Sequence, residues 1–213
     1  MYESLDSFPL RKINFVKTRT TILNAVSHLL KEKNFAEITV DEICQRAQIS
    51  RGTFFNYFST KEHVFHYYLR IFTIRIALRA KELKSGLSFK EQLNSFYGWL
   101  TDDSQYAKFI DSYISFLLNV GEDKNEMKLT DAEFVYFFNN INEDEYTAYN
   151  ELTLQQIFAD ICTKANDKSE VKISASAEEL GNLLSGVIIA SYVTDHIAPN
   201  INHLDIFDKI LVK

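Results

Sequence analysis

The chain has 213 residues, of which 46% are hydrophobic and 24% charged, and its net charge is −6. This composition is that of an ordinary globular protein and excludes a chain that coats nucleic acid over its whole surface. The two cysteines, Cys44 and Cys162, are predicted to be small core residues in a reducing compartment rather than a disulfide framework, and no apolar run is long enough for a comfortable membrane span. Because the N-terminal residues also lack the apolar core of a signal peptide, we predict a cytoplasmic protein.

The first predicted helix ends near Asn34 and is preceded or opened by basic residues. Its apolar stripe consists of Phe15, Ile22, Val26, Leu29 and Leu30. The basic residues are Arg11, Lys12, Lys17 and Arg19. They are placed either to reach a flanking DNA phosphate or the minor groove, or to form a solvated basic tail.

Charge is distributed unevenly along the chain. Residues 1–83 carry thirteen Lys and Arg against eight Asp and Glu, whereas residues 84–213 carry ten against twenty-one. A basic N-terminal third on an acidic body is typical of a small DNA-binding domain attached to a second domain.

Residues 38–61 predict a helix, a tight turn and a second helix. Thr39 and Glu42 form a capping box pattern, so the first of these helices begins near Val40. Ser50 is the predicted N-cap of the second helix, which leaves room for only a short turn before it. Two short helices joined this closely predict a helix-turn-helix, in which one helix enters the DNA major groove.

The second helix of this motif has one buried and one polar face. Phe54 and Phe58 are four residues apart and share the buried face. The opposite face carries Arg51, Gly52, Thr53, Asn56 and Tyr57. Apart from Gly52, these residues have side chains that suit phosphates, guanine and other base edges. Glycine within a helix costs roughly 0.8–1 kcal/mol against alanine, which favours close approach of another surface at this point.

The pattern T-V-x-x-I…A-x-I-S-x-G-T-F-F-x-Y-F-x-x-K-E, held by Thr39 to Glu62, resembles the N-terminal domain of TetR-family transcriptional regulators. The resemblance covers roughly residues 15–75 and implies DNA-facing side chains at Thr39, Ser50, Arg51, Thr53, Tyr57 and Lys61. With Gly52 and Asn56 from the helix pattern, these are the predicted DNA-binding residues. Three positions depart from the family pattern, which usually has alanine, glycine and tyrosine there: Cys44, Gln48 and Phe55.

The rest of the chain predicts an all-α body. A long helix from about residue 61 to 83 is expected to link two domains, 1–83 and 84–213, with the boundary near Lys84-Ser85-Gly86. Further helices are predicted at about 88–101, 104–120, 131–141 and 145–165. The predicted fold is an N-terminal three-helix helix-turn-helix domain joined by this helix to a C-terminal helical ligand-binding and dimerisation domain.

Aromatic residues crowd the acidic body and allow two interpretations. By the resemblance they line a pocket for an unknown small-molecule effector, but an aromatic stripe at helical spacing also forms an ordinary core. The predicted ligand-binding residues are Phe96, Trp99, Tyr113, Phe116, Phe137 and Phe158.

The last predicted helices carry a dimerisation signal. Ser176 and Glu179 form a capping box pattern, and the helix that follows is apolar on two faces, the second containing Gly181 and Ser185. Such a helix is buried on both sides, within one subunit or between two. The resemblance implies a homodimer through residues 174–195 and 202–212, arranged to read two half-sites of a double-stranded DNA operator.

Other classes of function have weaker support. His63 and His66 are three apart beside Glu62, but no third metal ligand has a recognisable spacing, and we predict no metal or cofactor. The glycines form no phosphate-binding loop, and no catalytic arrangement is evident, so we predict no enzyme. The resemblance implies a ligand-responsive repressor released from its operator by a small molecule. The alternative is a helical regulator that acts through protein partners without binding DNA.

Overall fold

The structure is a computed structural model that describes residues 4–82, 87–102, 127–167 and 175–197. Regular structure in these residues is entirely helical, which confirms the predicted all-α class. The described residues contain these α-helices: α1 Leu10–Leu30, α2 Val40–Ala47, α3 Arg51–Tyr57, α4 His63–Glu82, α5 Phe89–Asp102, α6 Asp131–Phe137, α7 Tyr146–Glu151, α8 Leu154–Asp167 and α9 Ala177–Ile197. Short 3₁₀ turns occur at Leu5–Ser7, Phe35–Glu37 and Glu143–Glu145.

The chain forms two compact units. The first combines residues 1–72 with 104–151, and the second combines 73–103 with 152–213. The long helix α4 passes from the first unit to the second after Phe72. The predicted domain boundary at Lys84-Ser85-Gly86 lies outside the described residues and stays a prediction.

The core of the first unit begins where α1, α2, α3 and the start of α4 meet. Apolar side chains at helical spacing turn inward on each helix, as the sequence periodicity predicts. The almost completely buried side chains include Ile22, Val26, Ile43, Phe54, Phe58, Val64 and Phe65. This packing confirms that Phe54 and Phe58 form the inner face of the second motif helix.

Helix α6 packs against α1 within the same unit. Phe8, Ile13 and Val16 form a buried apolar cluster with Ala132 and Val135 of α6. At the edge of this contact, the exposed Lys12 ammonium lies 3.5 Å from an Asp131 carboxylate oxygen. Residues that are more than 100 positions apart therefore share one core.

A buried ion pair crosses the same contact and corrects one sequence prediction. Arg19, which was expected to face solvent or a DNA phosphate, is only 3% exposed. Its Nη1 donates to both carboxylate oxygens of Glu133, at 3.0 and 3.2 Å. Removing one partner of such a pair typically costs about 3–5 kcal/mol, because the other charge is left buried and unpaired.

In the second unit, α9 packs against α8 at very close range. A Cβ atom added to Gly181 would lie 2.6 Å from the Gln155 carbonyl oxygen and 2.8 Å from the Ala159 nitrogen. Ser185 is also buried, and its hydroxyl donates to the Gly181 carbonyl oxygen at 2.8 Å. The small-residue face of this helix therefore packs within one subunit, whereas Leu183 is 45% exposed.

The helix boundaries after residue 130 differ from the prediction. The predicted helix at 131–141 ends at Phe137, and the one at 145–165 is interrupted between α7 and α8. The interruption has a local cause, because Thr153 and Gln156 form a new N-terminal cap. The Gln156 N–H donates to Thr153 Oγ1 at 3.2 Å, and the Thr153 N–H donates to Gln156 Oε1 at 2.9 Å. The predicted helices at 104–120 and 202–212 lie outside the described residues.

Two smaller observations concern cysteines and membranes. Cys44 and Cys162 are both buried free thiols, as predicted for small core residues. None of the helices in the described part of the chain has the length and apolar character needed to cross a membrane.

Candidate nucleic-acid interface

The start of α2 is fixed by the predicted capping box. The Thr39 N–H donates to Glu42 Oε2 at 2.9 Å, and the Glu42 N–H donates back to Thr39 Oγ1 at 3.3 Å. The Lys33 ammonium also donates to the Glu42 carboxylate. This bond and the N–H of Thr39 lower the pKa of Glu42 to about 2. The carboxylate therefore holds the beginning of the helix at neutral pH.

The turn between the motif helices depends on Gln48. Its φ of 56° and ψ of 44° place it in the left-handed region that glycine usually occupies. The Ile49 N–H donates to the Cys44 carbonyl oxygen at 3.0 Å, and the Gln48 N–H to the Gln45 carbonyl at 3.2 Å. The chain thus keeps the turn geometry despite its departure from glycine, at a cost of roughly 1 kcal/mol or more.

Helix α3 presents the polar face that the sequence predicts. Ser50 caps it, since its Oγ accepts from the Thr53 N–H at 3.0 Å. Arg51, Gly52 and Asn56 are exposed, and Thr53 is half-buried. Gly52 and Asn56 are four residues apart, so they lie one above the other on the face opposite the core. This exposed face is therefore the part of α3 that can enter a groove of a partner molecule.

Nothing within the described fold requires a glycine at position 52. A Cβ atom added there would have Ser50 Oγ as its nearest described neighbour, at 3.7 Å, which is an ordinary van der Waals distance. The φ angle of Gly52 is also outside the left-handed region, so its backbone conformation does not require glycine. The missing side chain therefore leaves space outside the protein rather than inside it.

Arg51 is held at the surface by an acidic neighbour that the sequence analysis missed. Its Nη1 lies 2.8 Å from each carboxylate oxygen of Asp41. Both side chains are mostly exposed. An ion pair of this kind contributes at most about 1 kcal/mol, so the guanidinium can exchange Asp41 for another anion at little cost.

The side chains of Tyr57 and Lys61 make contacts within the first unit. The Tyr57 ring packs against Phe15 of α1, with centroids 5.2 Å apart. The Lys61 ammonium donates to the carbonyl oxygens of Phe35, Ala36 and Ile38 at 3.0, 3.3 and 2.8 Å. An ammonium has three donors, and all three are used here. Lys61 therefore stabilises the loop that precedes α2 by binding three of its carbonyl groups.

The eight predicted DNA-binding residues thus fall into two groups. Arg51, Gly52, Thr53 and Asn56 form the outer surface of α3. The other four have contacts that serve the fold: Thr39, Ser50, Tyr57 and Lys61. Phe55, which is 47% exposed on the same helix, was not in the predicted set. Phe55 follows the buried Phe54 and therefore lies about 100° around the helix from it. This position beside the buried face was the sequence evidence that Phe55 is exposed.

The described members of the predicted ligand-binding set belong to both units. In the second unit, the buried Phe96 ring contacts Phe158 and Trp99, with centroids 5.5 and 4.8 Å apart. The Arg79 guanidinium lies 5.8 Å from the Trp99 ring centroid. Phe137 belongs to the first unit, where it contacts Tyr67. Tyr113 and Phe116 lie outside the described residues, so the predicted set stays a prediction.

Metal binding by His63 and His66 gains no support. Their rings lie 5.9 Å apart, and His63 Nδ1 is 2.6 Å from the Ser59 hydroxyl. Among the described residues, no group of three or more His, Cys, Asp or Glu side chains is arranged to hold a metal ion.

Comparison with known proteins identifies the motif. The model of the tetR family of bacterial regulatory proteins matches residues 22–68. The HTH-type transcriptional regulator EthR of Mycolicibacterium smegmatis is 51% identical over 43 residues. This match spans 20% of the present chain and 20% of EthR, so the chain shares only a fifth of its length with this relative.

Solved structures extend the likeness to the whole fold. GusR of Salmonella enterica matches with a TM-score of 0.60 and 14% identity, covering 91% of this chain and 92% of GusR. FadR of Bacillus subtilis, solved in complex with stearoyl-CoA, matches with a TM-score of 0.53 and 16% identity, covering 89% and 93%. At these identities the likeness shows a common fold. Residues 22–68 match the tetR-family model, which confirms the predicted resemblance of the N-terminal helix-turn-helix domain to that family.

Proposed function

We propose that this protein is a homodimeric transcriptional regulator that binds a double-stranded DNA operator in a sequence-specific manner and has no enzymatic activity. It is a repressor, and a small molecule bound in the helical body releases it from the operator. The tetR-family domain supports the DNA-binding part of this proposal. Separate observations on the second unit support the dimer and the effector.

The observation that carries the proposal is the outer face of α3. Arg51 and Asn56 provide the donors and acceptors that read base edges or bind phosphates, and Gly52 lies between them. Because no described contact inside the protein explains Gly52, close approach of a DNA strand gives the glycine a purpose. A helix that serves only to pack a small domain has no need of this residue.

The dimer is supported by the outward face of α9. Leu183 is 45% exposed on this face, and a Cβ atom added to Gly186 would meet no described atom within 4 Å. The opposite face is filled by α8, which meets Gly181. An exposed leucine beside a small residue suits contact with a second copy of the same helix, and two copies read two half-sites.

The effector is supported by the fold and by the aromatic content of the second unit. FadR, which shares the fold, was solved with stearoyl-CoA. In this chain Phe96 and Phe158 are packed and buried, while Trp99 is half-buried beside Arg79. A half-buried indole next to a guanidinium offers both apolar area and a charged group to a ligand.

Replacing Gly52 by alanine tests the proposal directly. We expect the midpoint of thermal unfolding to stay the same or rise, since alanine favours helix by up to roughly 1 kcal/mol and meets no clash in the fold. Affinity for a selected operator duplex should fall at least about tenfold, the loss typical of one base contact. Fluorescence anisotropy with labelled duplex measures this change.

Gly98→Ala is the matched control, because Gly98 lies within α5 and an added Cβ would meet no described atom within 4 Å. This variant should bind the operator as the wild type does. Unchanged operator affinity in Gly52→Ala would contradict the proposed approach of DNA to α3. Indifference of the wild-type protein to every duplex would favour the regulator that acts through protein partners.

A further inference from the structure

The Arg19 guanidinium lies at the junction of four elements of the first unit. Its central carbon is 3.9 Å from the Tyr67 ring centroid, 5.2 Å from that of Phe58 and 5.3 Å from that of Phe15. These rings belong to α4, to the residue that ends α3, and to α1. The fourth element is α6, which supplies Glu133. One cation therefore contacts the end of the candidate recognition helix and a helix more than 70 residues further along the chain.

Stability alone does not explain this pair. Both partners are almost completely buried, so both have lost their hydration, and apolar residues of similar volume often serve the fold equally well. Among the described residues, Arg19 Nε and Nη2 have no hydrogen-bond acceptor. The site thus keeps a costly, directional contact where a simple apolar contact would fill the space.

The direction of the contact is set by α6. Glu133 Oε2 accepts from the Thr130 N–H at 2.8 Å and from the Thr130 hydroxyl at 2.9 Å, so the same carboxylate caps this helix. The carboxylate is fixed to the first turn of α6, and the guanidinium is fixed to it by two hydrogen bonds. The packing of Arg19 on Phe58 then links the position of α6 to the end of α3.

We infer that Arg19 and Glu133 are positioning residues for DNA binding, which hold the end of the recognition helix α3 in register with α6. The DNA-reading part of the protein accordingly includes α6 in addition to the helices of the motif. This inference rests on the proposed function. It predicts that loss of the pair lowers sequence discrimination more than it lowers general attraction to DNA, because no phosphate-facing charge is removed.

Glu133→Gln tests the inference while keeping the cap of α6, since glutamine also serves in a capping box. The measurement is the ratio of affinities for the duplex selected by the wild-type protein and for a shuffled duplex, at one salt concentration and below the unfolding temperature. We expect this ratio to fall about tenfold, as for one lost base contact, with affinity for the shuffled duplex unchanged. Arg19→Met combined with Glu133→Gln removes both charges and should show the same loss in a stably folded protein.

Asp131→Asn is the matched control. It weakens the exposed Lys12–Asp131 pair between the same two helices and should leave the ratio at the wild-type value. If the folded double variant also keeps the wild-type ratio, with only a lower unfolding temperature, the pair is structural and the inference is wrong. If the wild-type protein itself prefers no duplex, the proposed function fails, and the inference fails with it.

Discussion

At the residue scale, Glu42 shows how much of the motif depends on one carboxylate. It accepts hydrogen bonds from the Thr39 N–H and hydroxyl, and an ion pair with Lys33 completes its contacts. The Thr39-to-Glu42 spacing predicts the capping box because both members lie within one turn. Lys33 lies on the preceding loop, outside the pattern, so the sequence did not predict its contribution.

The low pKa of Glu42 makes the stability of the folded protein depend on pH. Its folded-state pKa of about 2 is below the ordinary value of 4.5, so the stability it contributes is fully present above pH 4.5. That contribution is lost as the pH falls from 4.5 toward 2. Glu42→Gln should therefore show a smaller fall in unfolding temperature across this interval than the wild type.

Thermal unfolding measured at several pH values between 2 and 7 checks this prediction. Lys33→Met removes the largest cause of the lowered pKa and should also reduce the pH dependence. Adding it to Glu42→Gln should have little further effect on the pH dependence, because both changes act through one carboxylate. Equal pH dependence in the wild type and in Glu42→Gln would show that this carboxylate does not control acid stability.

At the element scale, the sequence predicted where helices begin better than it predicted what they contact. The caps at Thr39, Ser50 and Ser176 are local patterns, and the structure contains all three. The cap at Thr153 was missed, although its T-x-x-Q pattern was visible in the sequence. Periodicity identifies a face of a helix but cannot name its partner, so the face of Gly181 was not assigned to α8.

The crossing of α8 and α9 gives a prediction about Gly181. Its replacement by alanine should destabilise the protein by roughly 1–3 kcal/mol, because the new methyl group meets the Gln155 carbonyl and the Ala159 backbone at less than 3 Å. Urea unfolding measures the change. Gly98→Ala adds the same atom at a position of α5 where no described atom lies within 4 Å, and it should be neutral or stabilising. Equal stability of the two variants would mean that the helices do not approach this closely.

At the scale of the whole molecule, features that depend on local sequence patterns were predictable, whereas long-range contacts were not. The all-α class, the helix-turn-helix and the polar face of α3 follow from spacing within about 25 residues of sequence, and so were predictable. The pairing of Arg19 with Glu133 joins positions 114 apart and was not. Neither was the use of Lys61 to bind three carbonyl groups, since a basic residue in a DNA-binding motif suggests a phosphate partner first.

We propose that the outer face of α3 reads DNA sequence in a dimeric protein. Selection of bound duplexes from a random pool, at two salt concentrations, tests it most directly. We predict recovery of a two-fold symmetric motif whose binding weakens steeply as salt rises, because phosphate contacts release counterions. Recovery of no common motif at either salt concentration would contradict the claim and leave the helix-turn-helix as a scaffold for protein partners.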